Sequence, residues 1–459
     1  MFAGCSVGPK YHPPSVTLAP FHNAPLVEAR TDIAPAPALD AWWAGFDDPE
    51  LTRVVERALN QNLDLAASTA RVNQARAAAR GAGARYKPSI DLAGNVTTIR
   101  QSLESPIGRV ATNLPRDQNY YDLGIAASWE LDIFGQFRKG AQAASAEAQA
   151  AEASHAGTRI FIAAEAADAY LQIRGAQARI AFAEDQIQTD EHLLKLIRQR
   201  FDAGVSTDRE VAQAEALLAQ ARASVPPLRT LLESQLNRLD LLMGVQPGTY
   251  SRELSQNTPI PNPPGIGQSN APLDVLRRRP DVIAAERRLA ASNAAIGAAI
   301  AGYYPKVSLS ALLGSESIAP GHLFQSVAFQ PQSVAGLRWR IFDFGRVSAE
   351  VAGAKGANAE ALAAYRQSVL HAAEDVEDAF MLLTQSEVRE QQVLEEVNSL
   401  KRVRDRSQES YLAGVLALTD VLDADRQLLI AQDELALTRE TTARAAVGSF
   451  RALGGGWTP

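Results

Sequence analysis

Cysteine is almost missing from this sequence: Cys5 is the only one in 459 residues, which excludes an internal disulfide and any cysteine-based metal cluster. Aromatic residues are scarce too, at 6% against a hydrophobic share of 46%. Much of the apolar content is alanine, which suits close helix packing better than a bulky globular core. Positive charge is not in excess either. The formal net charge is −7, and no nucleic-acid partner is expected, because phosphate binding needs a basic face. No run of about 18 apolar residues occurs, so a crossing of a membrane would have to use strands rather than a helix. The six histidines, His12, His22, His155, His192, His322 and His371, stand without ligand spacing, and neither a phosphate-binding glycine loop nor a nucleophile elbow is present. No catalytic residue, metal site or cofactor is expected.

What is there is written twice. Asp64, Ala67, Arg71, Tyr86 and Pro88 match Asp281, Ala284, Arg288, Tyr303 and Pro305 at one offset; Trp129, Phe134 and Gly135 match Trp339, Phe344 and Gly345 at another, seven residues shorter. The second offset continues through Phe201-Asp202-Ala203-Gly204-Val205 against Tyr411-Leu412-Ala413-Gly414-Val415 and Met243-Gly244 against Leu453-Gly454. Aromatic and glycine landmarks align, not only alanines, so the chain reads as two copies of one unit, the first with a longer insertion between Pro88 and Trp129.

Each copy reads as helix, two strands, long helix, return helix. Period-two alternation marks the strands: Ile90, Leu92 and Val96 face away from Asp91, Asn95 and Thr97, and Leu337, Trp339 and Ile341 face away from Gly336, Arg338 and Arg340. Proline is absent between Pro115 and Pro226 and again between Pro331 and Pro459. Nothing therefore forbids helices of more than 60 residues, on the order of 100 Å at 1.5 Å per residue. Ile173, Ile180, Ile187, Leu194 and Phe201 recur every seven residues, with Ala176, Ala183 and Ile197 on the neighbouring seam and Asp190 interrupting it. That pattern favours coiled-coil packing of helix on helix. The expected layout is a first repeat over 41–243, with strands near 89–100 and 119–132, a long helix near 136–203 and return helices near 208–243. A proline-rich belt linker over 244–272 leads to a second repeat over 273–455, with a helix near 280–304, strands near 306–316 and 333–342, a long helix near 346–413 and a return helix near 419–451. Residues 456–459 form a tail, and Pro226-Pro227 predicts a break in the first return helix.

Four strands cannot close a transmembrane barrel, which needs at least about eight. Only oligomerisation reconciles four amphipathic strands with a membrane. Asp40-Ala41-Trp42-Trp43-Ala44-Gly45-Phe46, Asp48-Pro49-Glu50-Leu51, Asn62-Leu63-Asp64-Leu65 and Leu276-Arg277-Arg278-Arg279-Pro280-Asp281-Val282 resemble the lipoprotein branch of the TolC-like outer membrane efflux proteins, and the resemblance covers nearly the whole chain. It implies a mixed α and transmembrane β fold: a homotrimer whose twelve-stranded β-barrel continues into a long α-helical barrel. It also implies an exit duct in the bacterial outer membrane, with a periplasmic adaptor and an inner-membrane transporter of the resistance-nodulation-division type as partners. Drugs, solvents and metal ions are all open as cargo. A secretion-system duct for proteins would share the architecture, whereas a periplasmic coiled-coil adaptor would lack the strands.

The resemblance also supplies site residues. Ala3-Gly4-Cys5 before Pro9, Pro13, Pro14 and Pro20 resembles a lipobox, so a covalent lipid is expected on Cys5 within an anchored segment over 1–40. The reversals Gly204-Val205-Ser206 and Gly414-Val415-Leu416 are expected to dock the adaptor. Asp420 and Asp423 match paired aspartates of the family's inner tunnel mouth, and Tyr411 matches a tyrosine that helps hold the closed state. Their i, i+3 spacing puts both carboxylates on one helix face, so three copies would set six acids about an axis, raising one another's pKa and holding cations. The first copy offers only Glu210 and Gln213 there. Trp42-Trp43 is expected to pack on the helices, and Arg277-Arg278-Arg279 to lie on a solvated face.

Overall fold

The computed structural model describes residues 6–15, 18–30, 36–110, 113, 115–267 and 272–458. Two short helices and a 3-10 turn lead in: α1 (Ala24–Glu28), the turn Leu39–Phe46 and α2 (Pro49–Gln61), followed by α3 (Leu63–Ala84). Then come β1 (Ser89–Arg100), the short α4 (Pro106–Val110), β2 (Asp117–Leu131), α5 (Gln136–Asp202) and α6 (Asp208–Leu242). The second half repeats the order: α7 (Pro272–Arg278), α8 (Pro280–Ile300), β3 (Lys306–Ser317), β4 (Phe329–Arg338), α9 (Arg346–Leu412) and α10 (Leu418–Ala452). The duplication carries through to lengths, since α5 and α9 each have 67 residues and α6 and α10 each have 35. No helix among the described residues is long and apolar enough to cross a membrane.

Contacts divide the chain into two compact units. One, drawn from Met1–Pro14, Val72–Ala151 and Ala285–Tyr365, holds the sheet. Its four strands are all antiparallel in the order β1-β2-β3-β4. Alternation and register place these apolar side chains on one face of the sheet, and Ile90, Leu92, Val96 and Leu337 are all more than two-thirds exposed. In water such a surface is a liability, and in lipid it is a requirement. Below the strands Phe134 stacks on Tyr304, 4.5 Å between ring centroids.

The other unit, drawn from Ser15–Arg71, Glu152–Ala284 and Arg366–Pro459, is a helical bundle built on alanine. Ala163, Ala166, Ala167, Ala169 and Ala176 of α5 and Ala443 and Ala446 of α10 are wholly buried, and small side chains suit close helix packing. The bulkiest cluster of aromatic side chains forms one belt. There Trp42 stacks on Phe450 at 5.4 Å and nearly parallel, beside Trp43, Phe46, Leu51 and Tyr170. Full burial of such rings contributes on the order of 2–3 kcal/mol each. The tandem tryptophans are thus core, as their sequence context predicts.

Three expectations need correction. α6 is unbroken through Pro226 and Pro227. The flanking Val225 and Leu228 are buried in the bundle and hold the turn, while Pro226 and Pro227, with Arg222 and Ala223 whose carbonyls lose their donors, are on the exposed side of the helix, where water can serve them. Arg279 is not on a solvated face but buried: its guanidinium donates to Asp281, to Asp375 at 2.6 Å and to the carbonyls of Ala372 and Ala452. It ties the start of α8 to α9 and to the end of α10. Finally, β4 starts at Phe329 and ends at Arg338 rather than running over 333–342. Pro331 is accommodated because β4 is an outer strand of the sheet, and Trp339, Arg340 and Ile341 lie beyond the last β3 partner, Lys306.

Candidate functional site

The reversals between long and return helices have one geometry used twice. Gly204 adopts φ +76° and Gly414 φ +74°, a region that glycine enters without a Cβ penalty. At the first tip the Gly204 N–H donates to the Phe201 carbonyl and the Val205 N–H to the Arg200 carbonyl, both at 2.8 Å. At the second, Gly414 donates to Tyr411 and Val415 to Ser410, both at 2.9 Å. Each is a Schellman closure, which satisfies the last carbonyls of a helix and turns the chain out. Val205 and Val415 project into solvent, 64% and 77% exposed. Ser206 and Leu416 come next, their N–H groups directed to Arg200 and Ser410.

Beyond the turns the two return helices start differently. Thr207 caps α6 in a complete box: its hydroxyl accepts from the Glu210 N–H, and the Glu210 carboxylate accepts from the Thr207 N–H at 2.7 Å. The corresponding residue of α10 is Ala417, with no side-chain cap. Glu210 is therefore committed to its own helix start, while Asp420, in the first turn of α10, is exposed.

Asp423 is exposed on the same helix. It accepts from Arg426 at 2.8 Å and Gln427 at 2.5 Å, and the Arg426 guanidinium holds its carboxyl below the usual aspartate value. Within one chain the shift thus runs opposite to the rise that mutual repulsion of an acid ring would cause. Tyr411 is buried in the tip core with Leu194, Ile197, Leu418 and Val421. Arg200 lies over its ring at 4.8 Å, and its hydroxyl has no hydrogen-bond partner among the described residues. The structure brings Tyr411, Asp420 and Asp423 to one end of the second hairpin; Cys5 lies outside the described residues.

Sequence reasoning missed a buried charge cluster deeper in this bundle. Asp190 is 1% exposed, accepts from Gln186 at 2.7 Å and leaves its second oxygen without a partner. Burial, with Asp425 nearby, pushes its carboxyl up to about 6. Asp425 is buried too, and Arg404 donates to it at 3.0 Å. The signal in the sequence was that Asp190 interrupts the apolar seven-residue seam and that Arg404 stands, 210 residues on, where the first copy has the seam residue Leu194.

Comparison with known proteins agrees with the doubled architecture. The outer membrane efflux protein family matches the chain twice, over residues 54–245 and 271–455. A pyoverdine export outer membrane protein of Pseudomonas putida, OpmQ, is 32% identical across 91% of this chain and 88% of its own. The outer membrane protein OprJ of Pseudomonas aeruginosa is 31% identical across 99% of this chain and 93% of its own. Among solved structures, the outer-membrane channel OprN superposes with a TM-score of 0.90 at 32% identity, covering 99% of this chain and 100% of its own. The Neisseria gonorrhoeae MtrE channel in its open state gives 0.85 at 26% identity, with 99% of each chain covered. The mixed fold, long helices with a four-stranded antiparallel sheet, is thus shared with outer-membrane channels, and this chain belongs to the outer membrane efflux protein family.

Proposed function

We propose that the chain is one third of a homotrimeric exit duct that carries small molecules from the periplasm across the outer membrane. The observation that carries this reading is the pairing, within one chain, of an outward-apolar four-stranded sheet with helices of 67 residues. Three copies supply twelve strands, enough to close a barrel without free edges. The outer membrane is its place, as for the family. The duct performs no catalysis. Relatives export pyoverdine or organic solvents by name, which supports a small-molecule cargo and a tripartite pump with an adaptor and an inner-membrane transporter of the resistance-nodulation-division type.

In this reading Asp420, Asp423 and Tyr411 form the gate at the periplasmic mouth. The tips Gly204-Val205-Ser206 and Gly414-Val415-Leu416 receive the adaptor, and Cys5 carries a lipid that adds to the hold of the barrel. Native mass of the detergent-solubilised protein together with conductance in planar bilayers tests the core of it. A trimer that opens single channels is expected; a monomer, or a trimer that never conducts, overturns the reading.

A further inference from the structure

The two halves of the sheet are interchangeable in register. β1 pairs with β2 from Ser89 opposite Ser128, and β3 pairs with β4 from Lys306 opposite Arg338. The offsets that superpose the repeats, 217 and 210 residues, carry the first pair onto the second. A side-chain bond repeats as well, with Trp129 Nε1 donating to the Tyr86 carbonyl at 2.9 Å and Trp339 Nε1 to the Tyr303 carbonyl at 3.0 Å. The hairpins meet once inside the chain, where β2 pairs with β3 from Tyr121 opposite Ser317 to Leu131 opposite Val307. That leaves an outer edge on β4, equivalent to the edge β2 presents, and an outer edge on β1, equivalent to that of β3.

The lower end of β2 shows what the joint does. Trp129, Glu130 and Leu131 lie beyond the last β1 partner and are strand only because they pair with Leu309, Ser308 and Val307 of β3. Their counterparts Trp339, Arg340 and Ile341 have no such neighbour and are not strand. They are exposed, Trp339 by 57% and Ile341 by 85%. Their alternation is that of a strand without a partner.

We infer that β4 of one copy docks on β1 of the next in a single register, the one the chain already uses between β2 and β3, and that Trp339–Ile341 become strand when it does. This deepens the trimeric reading above and rests on it. Carried over residue by residue, the register sets Ile341 opposite Ile90 of the next copy, Trp339 opposite its Leu92 and Ala335 opposite its Val96, all on one face. Arg340 then stands opposite Asp91 of the next copy, on the other face. A slip of one residue would mix the two faces along the whole joint. A slip of two would keep the faces but separate the charges, because Ala93 or Ser89 would face Arg340. Among the described residues neither Arg340 nor Asp91 is in an ion pair, and directly opposed unlike charges stabilise a strand pair. A head-to-tail joint of this kind generates a ring when its rotation closes.

Cysteine pairs test the register, with Cys5→Ser as background. Arg340→Cys with Asp91→Cys should cross-link into covalent trimers under mild oxidation, while Arg340→Cys with Ser89→Cys or with Ala93→Cys should yield mostly uncross-linked chain. Faster cross-linking by either shifted pair overturns the proposed register, and so does the absence of cross-links from all three pairs in protein that is trimeric by native mass. A monomer by native mass would instead sink the trimeric reading. Charge exchange gives a readout that does not depend on oxidation. Arg340→Asp should lower the resistance of the trimer to detergent and heat, and adding Asp91→Arg should restore it; equal trimer resistance in all three proteins would also overturn the pairing.

Discussion

Gly175 of α5 is the space that the Glu440 carboxylate of α10 occupies: a Cβ on Gly175 would overlap the Oε2, Cδ and Cγ atoms of Glu440. Glu440 is 4% exposed, and Arg444 donates to it at 3.3 Å. Burial, with Asp168 adding to it, pushes its carboxyl up to about 7 against the pull of Arg444 and Arg179. Alanine in a helix gains about 1 kcal/mol over glycine, but overpacking a filled site costs about 1–3 kcal/mol. Gly175→Ala should therefore lower the melting temperature. Gly175→Ala with Glu440→Ala should melt above Gly175→Ala alone, because the overlap is gone and the propensity gain remains. Equal melting of those two proteins would show that the cleft yields without cost.

Buried acids also set a pH dependence. The folded-state pKa of Asp190, about 6, lies above its unfolded value near 3.8. The folded state then holds the proton more tightly, so the contribution of Asp190 to stability is fully present below about pH 4, is lost as pH rises through 6 and is flat above. Asn keeps the acceptor for Gln186 and has no charge to bury. The stability difference between Asp190→Asn and the parent should grow from near zero at pH 4 to on the order of 3 kcal/mol at pH 7. Thermal melts at both pH values check this, and a difference independent of pH would refute it.

The gate reading predicts a change in selectivity. Asp420→Asn with Asp423→Asn removes six carboxylates from a trimer and frees Arg426. Cation preference in planar bilayers should fall, with conductance altered, while the trimer assembles as before. Unchanged conductance and selectivity would leave Asp420 as an ordinary first-turn acid of α10, stabilising its macrodipole, and Asp423 as the partner of Arg426.

For the docking tips, substitution of the glycines would confuse two effects, since φ near +75° strains any other residue whether or not a partner binds there. Val205→Asp and Val415→Asp leave both closures intact and change only what the tips present. Efflux in cells should drop with trimer yield unchanged. Full efflux from the double variant would count against docking through these residues.

Acylation is tested by Cys5→Ser expressed behind a complete signal peptide. Fatty-acid label should be lost while insertion through the barrel persists. Label retained on that variant would place the lipid elsewhere.

The two repeats, the strand faces and the long helices were legible because each is a local pattern: alternation at Ile90, Leu92 and Val96, a seven-residue spacing from Ile173 to Phe201, and more than a hundred residues without proline. Pairings between distant segments were not. Nothing near Gly175 announces Glu440, and nothing in Leu276-Arg277-Arg278-Arg279 says that only Arg279 turns inward to Asp375. Pro226-Pro227 misled because local propensity was weighed without the bundle that holds Val225 and Leu228. The forecast of strand as far as 342 read a pattern whose hydrogen-bonding partner lies outside the single chain.

The unequal helix starts at the two tips have a thermodynamic meaning. A missing cap costs a helix about 1 kcal/mol, so the first turn of α10, behind Ala417, opens more readily than that of α6, locked by Thr207 and Glu210. In hydrogen–deuterium exchange the amides just after Ala417 should be the faster set. The duplicated unit is thus uneven at its tips, with the start of α6 the firmer of the two and the start of α10 the looser.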